Sequence, residues 1–215
     1  MSSEPFIYNY IAIEGNIGAG KTTLASRMAE EFNARLILER FEDNSFLPKF
    51  YESPDIYAFP LEMSFLADRY QQLKDQLAAR DLFKTFTIAD YFIDKSLIFA
   101  KNNLKPDEFN LYSRLFHIIS AFLPKPDLLV YLYVDIPRLK QNIKTRGREY
   151  EQSIKPEYLE QIQSGYLSHF RSLSGTPILI VDTNHLDFLE REEDYTALLF
   201  ALDQDYREGI HRIFI

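Results

Sequence analysis

Cysteine is absent from the sequence, which excludes disulfides and thiolate metal sites. No apolar run reaches membrane-spanning length, so a transmembrane helix is not expected. The opening Met1-Ser2-Ser3-Glu4-Pro5 lacks a basic signal segment, and the cytoplasm is the expected compartment. Positive charge is scarce. The formal net charge is −8 and the pI about 5.1, which argues against nucleic-acid or anionic-membrane partners. Among catalytic signatures, a G-x-S-x-G elbow and an Asn-Lys-x-Asp guanine motif are both missing. His117, His169, His185 and His211 show no metal-ligand spacing, so surface or core positions are expected for them. Hydrophobic residues at 46% and charged residues at 26% describe an ordinary globular chain long enough for one domain with an ample core.

Glycine is also scarce, yet three of the seven glycines fall within Gly15-Asn16-Ile17-Gly18-Ala19-Gly20, followed at once by Lys21-Thr22. This fits G-x-x-x-x-G-K-[ST], a loop that cradles phosphates. Its backbone N–H groups and the following helix N-terminus present positive dipole to an anion. Lys21 is placed to reach the β- and γ-phosphates of ATP, and Thr22 to hold Mg²⁺ through its hydroxyl. The context agrees. Residues Phe6 to Ile13 have a buried-strand composition, and Leu24, Met28 and Phe32 recur at helical spacing behind the loop.

Strand and helix patterns alternate to the end, predicting an α/β fold with a five-stranded parallel sheet flanked by helices. The second strand, Ala34 to Leu38, runs into Glu39. Ligands gather at the carboxyl ends of parallel strands, so Glu39 either faces the γ-phosphate or is an exposed charge closing a strand. Phe41 to Tyr57 is expected as a loop region, and a helix from about Ala58 to Ala79 with Pro60 in its first turn. Glu62 and Arg69, seven residues apart, lie beside that helix's apolar stripe, as a solvated flank or as a polar ligand pocket. The third strand, Lys84 to Asp90, ends in a carboxylate placed as a second Mg²⁺-associated group would be. A helix around 109–123, with Leu111, Leu115, Ile118, Ile119 and Phe122, is apolar over much of its circumference, as a core element or subunit interface is. The fourth strand is Asp127 to Val134 and the fifth Pro177 to Asp182, and a helical tail is expected to close the chain. Arg138, Lys140, Lys144, Arg146 and Arg148 gather within eleven residues, either on a solvated helix face or on a mobile lid at about 142–153 that brings cations to a transferring phosphate. No linker or repeat divides residues 1–215.

Taken together, the glycine loop, Leu38-Glu39, Tyr51-Glu52-x-Pro54, the helix bearing Glu62 and Arg69, Ile98-Phe99-Ala100, Pro126-Asp127-Leu128, Arg146-Gly147-Arg148-x-x-Glu151-Gln152 and Asp187-Phe188 resemble the deoxynucleoside kinases, specifically their bacterial branch. The resemblance covers nearly the whole chain. It implies a single P-loop kinase domain that phosphorylates the 5′-hydroxyl of a deoxyribonucleoside from ATP, with a lean toward purines. Gly15, Asn16, Ile17, Gly18, Ala19, Gly20, Lys21, Thr22 and Thr23 would hold the triphosphate. Glu39 would accept the 5′-hydroxyl proton, Tyr51 and Glu151 would hold the 3′-hydroxyl, and Arg146 and Arg148 would act near the phosphates. Asp187 and Phe188 would cover the adenine of ATP. The family also implies a homodimer joined through helices, here including 109–123. Two departures stand out. Where the family has Glu-Arg-Ser after the third strand, this chain has Ala89-Asp90-Tyr91, leaving Asp90 for Mg²⁺ and Lys95 as a candidate for the missing cation. Where the family reads the base with Gln and Asp, this chain has Glu62 and Lys95, while Arg69 matches. Two other functions share the loop: a nucleoside monophosphate kinase similar to thymidylate kinase, and a non-catalytic nucleotide-binding protein. Glu39 argues against the first, since a carboxylate facing a phosphate acceptor repels it.

Overall fold

A computed structural model of the chain describes residues 6–40, 44–79 and 81–215. The first strand, β1 (Tyr10–Gly15), is followed by α1 (Lys21–Glu31), β2 (Arg35–Ile37), α2 (Leu47–Glu52), α3 (Pro54–Leu77), β3 (Thr87–Ala89), α4 (Asp94–Asn103) and α5 (Pro106–Ser120). The second half contains β4 (Leu128–Tyr133), α6 (Ile136–Arg146), a short 3₁₀ turn (Glu149–Glu151), α7 (Pro156–Ser172), β5 (Pro177–Asp182), α8 (Glu192–Leu202) and β6 (Gly209–Phe214). All strand pairings are parallel, in the order β2-β3-β1-β4-β5-β6.

Strands β1, β4 and β5 are buried on both faces, which explains their continuous apolar runs. Along β1 the side chains alternate: Ile11 and Ile13 enter one core with Leu24 and Met28 of α1 and Leu139 of α6, while Tyr10 and Ala12 enter a second core with Leu66 of α3, Tyr112 of α5 and Tyr166 of α7. Because β3 lies on one side of β1 and β4 on the other, the chain reverses direction across the sheet at β1. The crevice outside the strand tips is therefore centred on the glycine loop.

The structure departs from the expected fold in three places. The sheet has six strands rather than five, because the tail beyond α8 pairs with β5 from Pro177↔Gly209 to Asp182↔Phe214. An edge strand with one neighbour needs only a weak apolar pattern, and β-branched Ile210 and Ile213 supply it. Next, the 41–57 stretch contains helix α2, with Pro48 in its first turn where no donor is needed; residues 41–43 lie outside the described residues. Finally, α3 begins at Pro54 rather than Ala58, so Pro60 lies inside the helix. Its missing N–H is tolerated where Phe50, Ala58, Leu61 and Phe65 form a small core of their own. Among the described residues no helix is long and apolar enough to cross a membrane.

Candidate active site

Residues 15–22 form a compact anion cradle between β1 and α1. Gly18 and Gly20 adopt φ of 85° and 88°, a left-handed region costly for any residue with a Cβ. At Gly20 a Cβ would also lie 2.9 Å from the Phe188 ring. Lys21 folds back over the loop, its Nζ donating to the carbonyls of Gly15 and Asn16 at 2.9 Å each. Burial, reinforced by the nearby positive charge of Lys95, lowers Lys21 to about 8. Asn16 is buried and braces the loop from below: its side chain donates to the Leu159 carbonyl (2.8 Å) and accepts from the Ile17 N–H (2.9 Å). From α6, Asn142 donates to the Gly18 carbonyl at 2.8 Å.

Two cavities meet at this loop. An outer cleft of about 970 Å³ is lined by Gly18, Ala19, Gly20, Thr23, Asp187 and Phe188 among others. An inner pocket of about 110 Å³ is lined by Ile17, Tyr51, Glu62, Arg69, Tyr158 and Glu151 among others. Lys21, Thr22, Glu39, Asp90, Arg146 and Arg148 line both. These six charged or hydroxyl-bearing side chains mark the junction. Of the predicted phosphate-loop residues, Gly15 and Asn16 line neither cavity and serve instead as acceptors for Lys21.

Glu39 lies two residues beyond β2, and a chain of hydrogen bonds ties it to the loop. Its backbone N–H donates to Asp90 Oδ1 (2.7 Å), and the Thr22 hydroxyl donates to Asp90 Oδ2 (2.5 Å). Asp90 thus fits between the loop and the tip of β2, buried to 3% exposure. Of the two readings of Glu39, the solvent-exposed one fails. The Glu39 carboxylate is gripped by Arg69, with Nε at 2.8 Å and Nη2 at 2.7 Å, and by Lys95 Nζ at 2.6 Å. Burial pushes its pKa up, but Lys95 and Arg69 outweigh that and bring it to about 2. It is ionised at any ordinary pH.

Thr22 and Asp90 offer two hard oxygen donors side by side. That suits Mg²⁺, which commonly takes one or two protein oxygens and fills its remaining positions with phosphate and water. Among the described residues no group of three or more His, Asp or Glu forms an all-protein metal cage.

At the outer wall, Arg146 (at the end of α6) and Arg148 both turn onto Glu151, Arg148 Nη1 at 3.3 Å. Gly147 makes this turn possible, ending α6 in the left-handed region at φ 76°. Tyr51 stacks on Tyr150 with ring centroids 5.9 Å apart, which brings Tyr51 to the same wall as Glu151. Asp187 accepts from the N–H groups of Leu189 (3.3 Å) and Glu190 (3.1 Å), and Arg138 holds the loop before it by donating to the Thr183 and Leu186 carbonyls.

Glu62 and Arg69 are buried, not on a solvated flank. Arg69 also donates to Ser96 Oγ at 2.8 Å, and Asn103 donates to Glu62 Oε1 at 2.7 Å. Burial raises Glu62 to about 7, against the opposing pull of Arg69 and Asn103. Sequence reasoning left out Glu14. This carboxylate at the end of β1 is 2% exposed, accepts from the Phe92 N–H (2.7 Å) and the Tyr166 hydroxyl (2.8 Å), and has its pKa raised by burial. Its position between an apolar strand and Gly15 was the available signal. Asn103 and Tyr158 carry none, since only the packing of α4 and α7 brings them to the pocket.

A parallel α/β sheet with a phosphate loop at its switch point, and a clamped carboxylate one strand tip away, defines a P-loop phosphotransferase architecture. The family model "Deoxynucleoside kinase" matches residues 11–204, and the chain belongs to that family. It is 39% identical over 205 residues to a deoxyguanosine kinase of Bacillus subtilis (strain 168), covering 92% of this chain and 96% of the relative. It is 31% identical over 185 residues to a deoxyadenosine kinase of Dictyostelium discoideum, covering 86% and 75%. A solved structure of deoxyadenosine kinase from M. mycoides with bound dATP superposes with a TM-score of 0.77 at 24% identity, covering 91% of this chain and all of that one; at that identity the likeness speaks for the fold.

Proposed function

We propose that this protein is a single-domain kinase of the cytoplasm that transfers the γ-phosphate of ATP to the 5′-hydroxyl of a purine deoxyribonucleoside. The observation that carries the reading is the junction of the two cavities, where six predicted site residues border both. The outer cleft takes the triphosphate on the glycine loop, with Asp187 and Phe188 beside the adenine. The inner pocket takes the nucleoside, with Tyr51 and Glu151 at its 3′-hydroxyl and Glu39 at its 5′-hydroxyl. As the 5′-oxygen bonds to the γ-phosphorus, the bond from that phosphorus to the β-γ bridging oxygen breaks, ADP leaves, and the 5′-hydroxyl proton passes to Glu39. Mg²⁺ on Thr22 and Asp90 would neutralise phosphate charge. Catalysis of this kind is mostly positioning and charge stabilisation. Lys21 supplies a cation at the loop. Arg146 and Arg148, on a lid spanning about 142–153, supply two more by exchanging Glu151 for phosphate.

Lys95 takes the place of the family's missing arginine: its 2.6 Å contact with Glu39 supports a position at the reacting groups rather than at the base. We also propose that the protein is a homodimer. Tyr112 and Phe116 are the residues α5 buries, while Leu111 and Ile118 are 53% and 64% exposed beside Phe59 and Met63 of α3, an apolar face of the kind subunits cover. Ile118→Asp should give monomers in sedimentation; an unchanged mass would remove α5 from the interface. The reaction is tested by ADP release with deoxyadenosine, deoxyguanosine, deoxycytidine, thymidine and their 5′-monophosphates. Turnover with a purine deoxynucleoside is expected. Turnover with monophosphates alone would favour the monophosphate kinase reading.

A further inference from the structure

Glu14 is a buried carboxylate to which the transfer chemistry assigns no part. It follows Tyr10, Ile11, Ala12 and Ile13 in β1, all of them buried, at a place where such a strand ordinarily carries another apolar residue. Burying a charge there is costly unless partners hold it. Those partners lie at the start of α4. The β1–β3 pairing ends at Ala12↔Ala89, and the chain then runs through Asp90, Tyr91, Phe92 and Ile93 before α4 opens at Asp94. Here a side chain takes over from the ladder: Glu14 Oε1 accepts the Phe92 N–H at 2.7 Å. The Phe92 carbonyl in turn accepts the Lys95 N–H (3.2 Å), and the Ile93 carbonyl accepts the Ser96 N–H (2.9 Å). Glu14 lines neither of the two cavities.

Both cations that grip Glu39 depend on this first turn of α4. Lys95 is carried on it and reaches Glu39 Oε2 at 2.6 Å. Arg69 comes from α3, but its Nη1 donates to Ser96 Oγ at 2.8 Å while its Nε donates to Glu39 Oε1 at 2.8 Å. Charge follows the same route. Burial raises the pKa of Glu14, and Lys95 opposes that rise more strongly than the Phe92 N–H, Lys21 or the Tyr166 hydroxyl does. Lys95 therefore faces two carboxylates, Glu14 and Glu39.

We propose that Glu14 is a positioning residue for phosphoryl transfer: it fixes the first turn of α4 against β1, and so sets where Lys95 and Arg69 hold the Glu39 carboxylate. This rests on the nucleoside kinase reading, in which Glu39 is the general base, and adds a group that touches neither nucleoside nor phosphate. The glycine loop begins at the next residue, Gly15. The tip of β1 thus anchors the phosphate cradle along the chain and the general base through α4, so the two reacting partners are referred to one short stretch of backbone. Displacing a reacting group by about 1 Å can cost about 10²-fold in rate, which is reason enough for a buried charge at this place.

The test is steady-state kinetics of the full chain with Mg²⁺, ATP and whichever of 2′-deoxyguanosine and 2′-deoxyadenosine the wild type turns over faster. The wild type is compared with Glu14→Gln, Lys95→Met and the double variant, with melting to establish folding. Glu14→Gln keeps an acceptor for the Phe92 N–H, but the bond loses its charge, and with it about half its strength. It should lower kcat about 10- to 100-fold while KM for ATP stays within a few-fold. In the Lys95→Met background it should cost little further, because both changes act through one side chain. Tyr166→Phe removes the other partner of Glu14 and leaves the Phe92 contact, so kcat should stay within a few-fold. A folded Glu14→Gln with wild-type kcat, a loss confined to KM, a loss of equal size with and without Lys95, or an equal loss in Tyr166→Phe overturns the inference and leaves the kinase reading intact. Hydrogen exchange of the wild type needs no variant to fold. The Phe92 and Lys95 amides should exchange as slowly as those of β1, and exchange at the rate of surface loops also overturns the inference. No turnover by the wild type with any deoxynucleoside overturns the kinase reading, and this inference with it.

Discussion

Replacing Glu39 with glutamine isolates the group on which the chemistry turns. The change keeps size and one acceptor oxygen but removes the charge held by Lys95 at 2.6 Å and by Arg69 at 2.7 Å. With its pKa brought to about 2, Glu39 is a weak base in the resting site. A loose phosphoryl transition state needs no stronger one, because the nucleophile sheds its proton late. Losing a positioned base costs roughly 10²–10⁴ in rate, so Glu39→Gln should lower kcat by that factor. Nucleoside affinity should stay within a few-fold, since Tyr51, Glu62 and Glu151 remain. Stability should also change. Removing one partner from a buried ion pair costs about 3–5 kcal/mol, and the amide recovers part of that by accepting from one cation. The pH dependence separates the two effects. A carboxylate depressed from 4.5 to about 2 leaves the native state with fewer bound protons than the unfolded chain. It contributes about 3 kcal/mol above pH 4.5, lost as pH falls toward about 2; the variant should lack this acid-labile part. Steady-state ADP release gives kcat, calorimetry gives nucleoside binding, and thermal melts from acid to neutral pH give stability. A folded Glu39→Gln that turns over within 10-fold of wild type, or that loses binding and turnover equally, would refute the reasoning.

Other expectations follow from the same contacts. Lys21→Ala should abolish ATP-dependent transfer by removing the cation that folds back over the glycine loop; substantial residual turnover would remove the loop from the mechanism. Gly20→Ala should weaken ATP binding and destabilise the fold by about 1–2 kcal/mol from its left-handed backbone alone, measured by nucleotide titration and melting; an unchanged melting temperature would contradict the cost assigned to that backbone. Glu62 acts on stability in the opposite sense to Glu39. Its raised pKa means that the native state binds the extra proton, so stability falls as pH rises from 4.5 through about 7, and Glu62→Gln should flatten that slope in melts over the same range.

Much of this site was legible before any coordinates, for reasons that can be traced residue by residue. The glycine loop is legible because its backbone needs glycine at fixed positions whatever surrounds it. Glu39 and Asp90 are expected at the loop because parallel strands deliver their next residues to one edge of the sheet; in the structure Asp90 accepts from both the Thr22 hydroxyl and the Glu39 N–H. Glu62 and Arg69 stayed ambiguous, since helical spacing puts them on one side but does not say whether α4 and α5 cover that side. The role of Lys95 depends on where α4 starts, which periodicity alone does not fix. The edge strand β6 is hard to read because none of its residues is buried, and the beginning of α3 because Pro60 was expected in a first turn that Pro54 occupies. In each case local chemistry was visible and the tertiary partner was not.

The central claim is that an alcohol oxygen of the nucleoside attacks the γ-phosphorus where Glu39 and Lys21 border one junction. It is tested most directly by incubating the protein with Mg²⁺, ATP and 2′-deoxyguanosine labelled with ¹⁸O at the 5′-position, then recording the ³¹P spectrum of the product. A 5′-monophosphate with the label retained in the bridge between phosphorus and carbon is the predicted result. Label left in unreacted nucleoside, with ATP consumed only to inorganic phosphate or with phosphate on another oxygen, would contradict it.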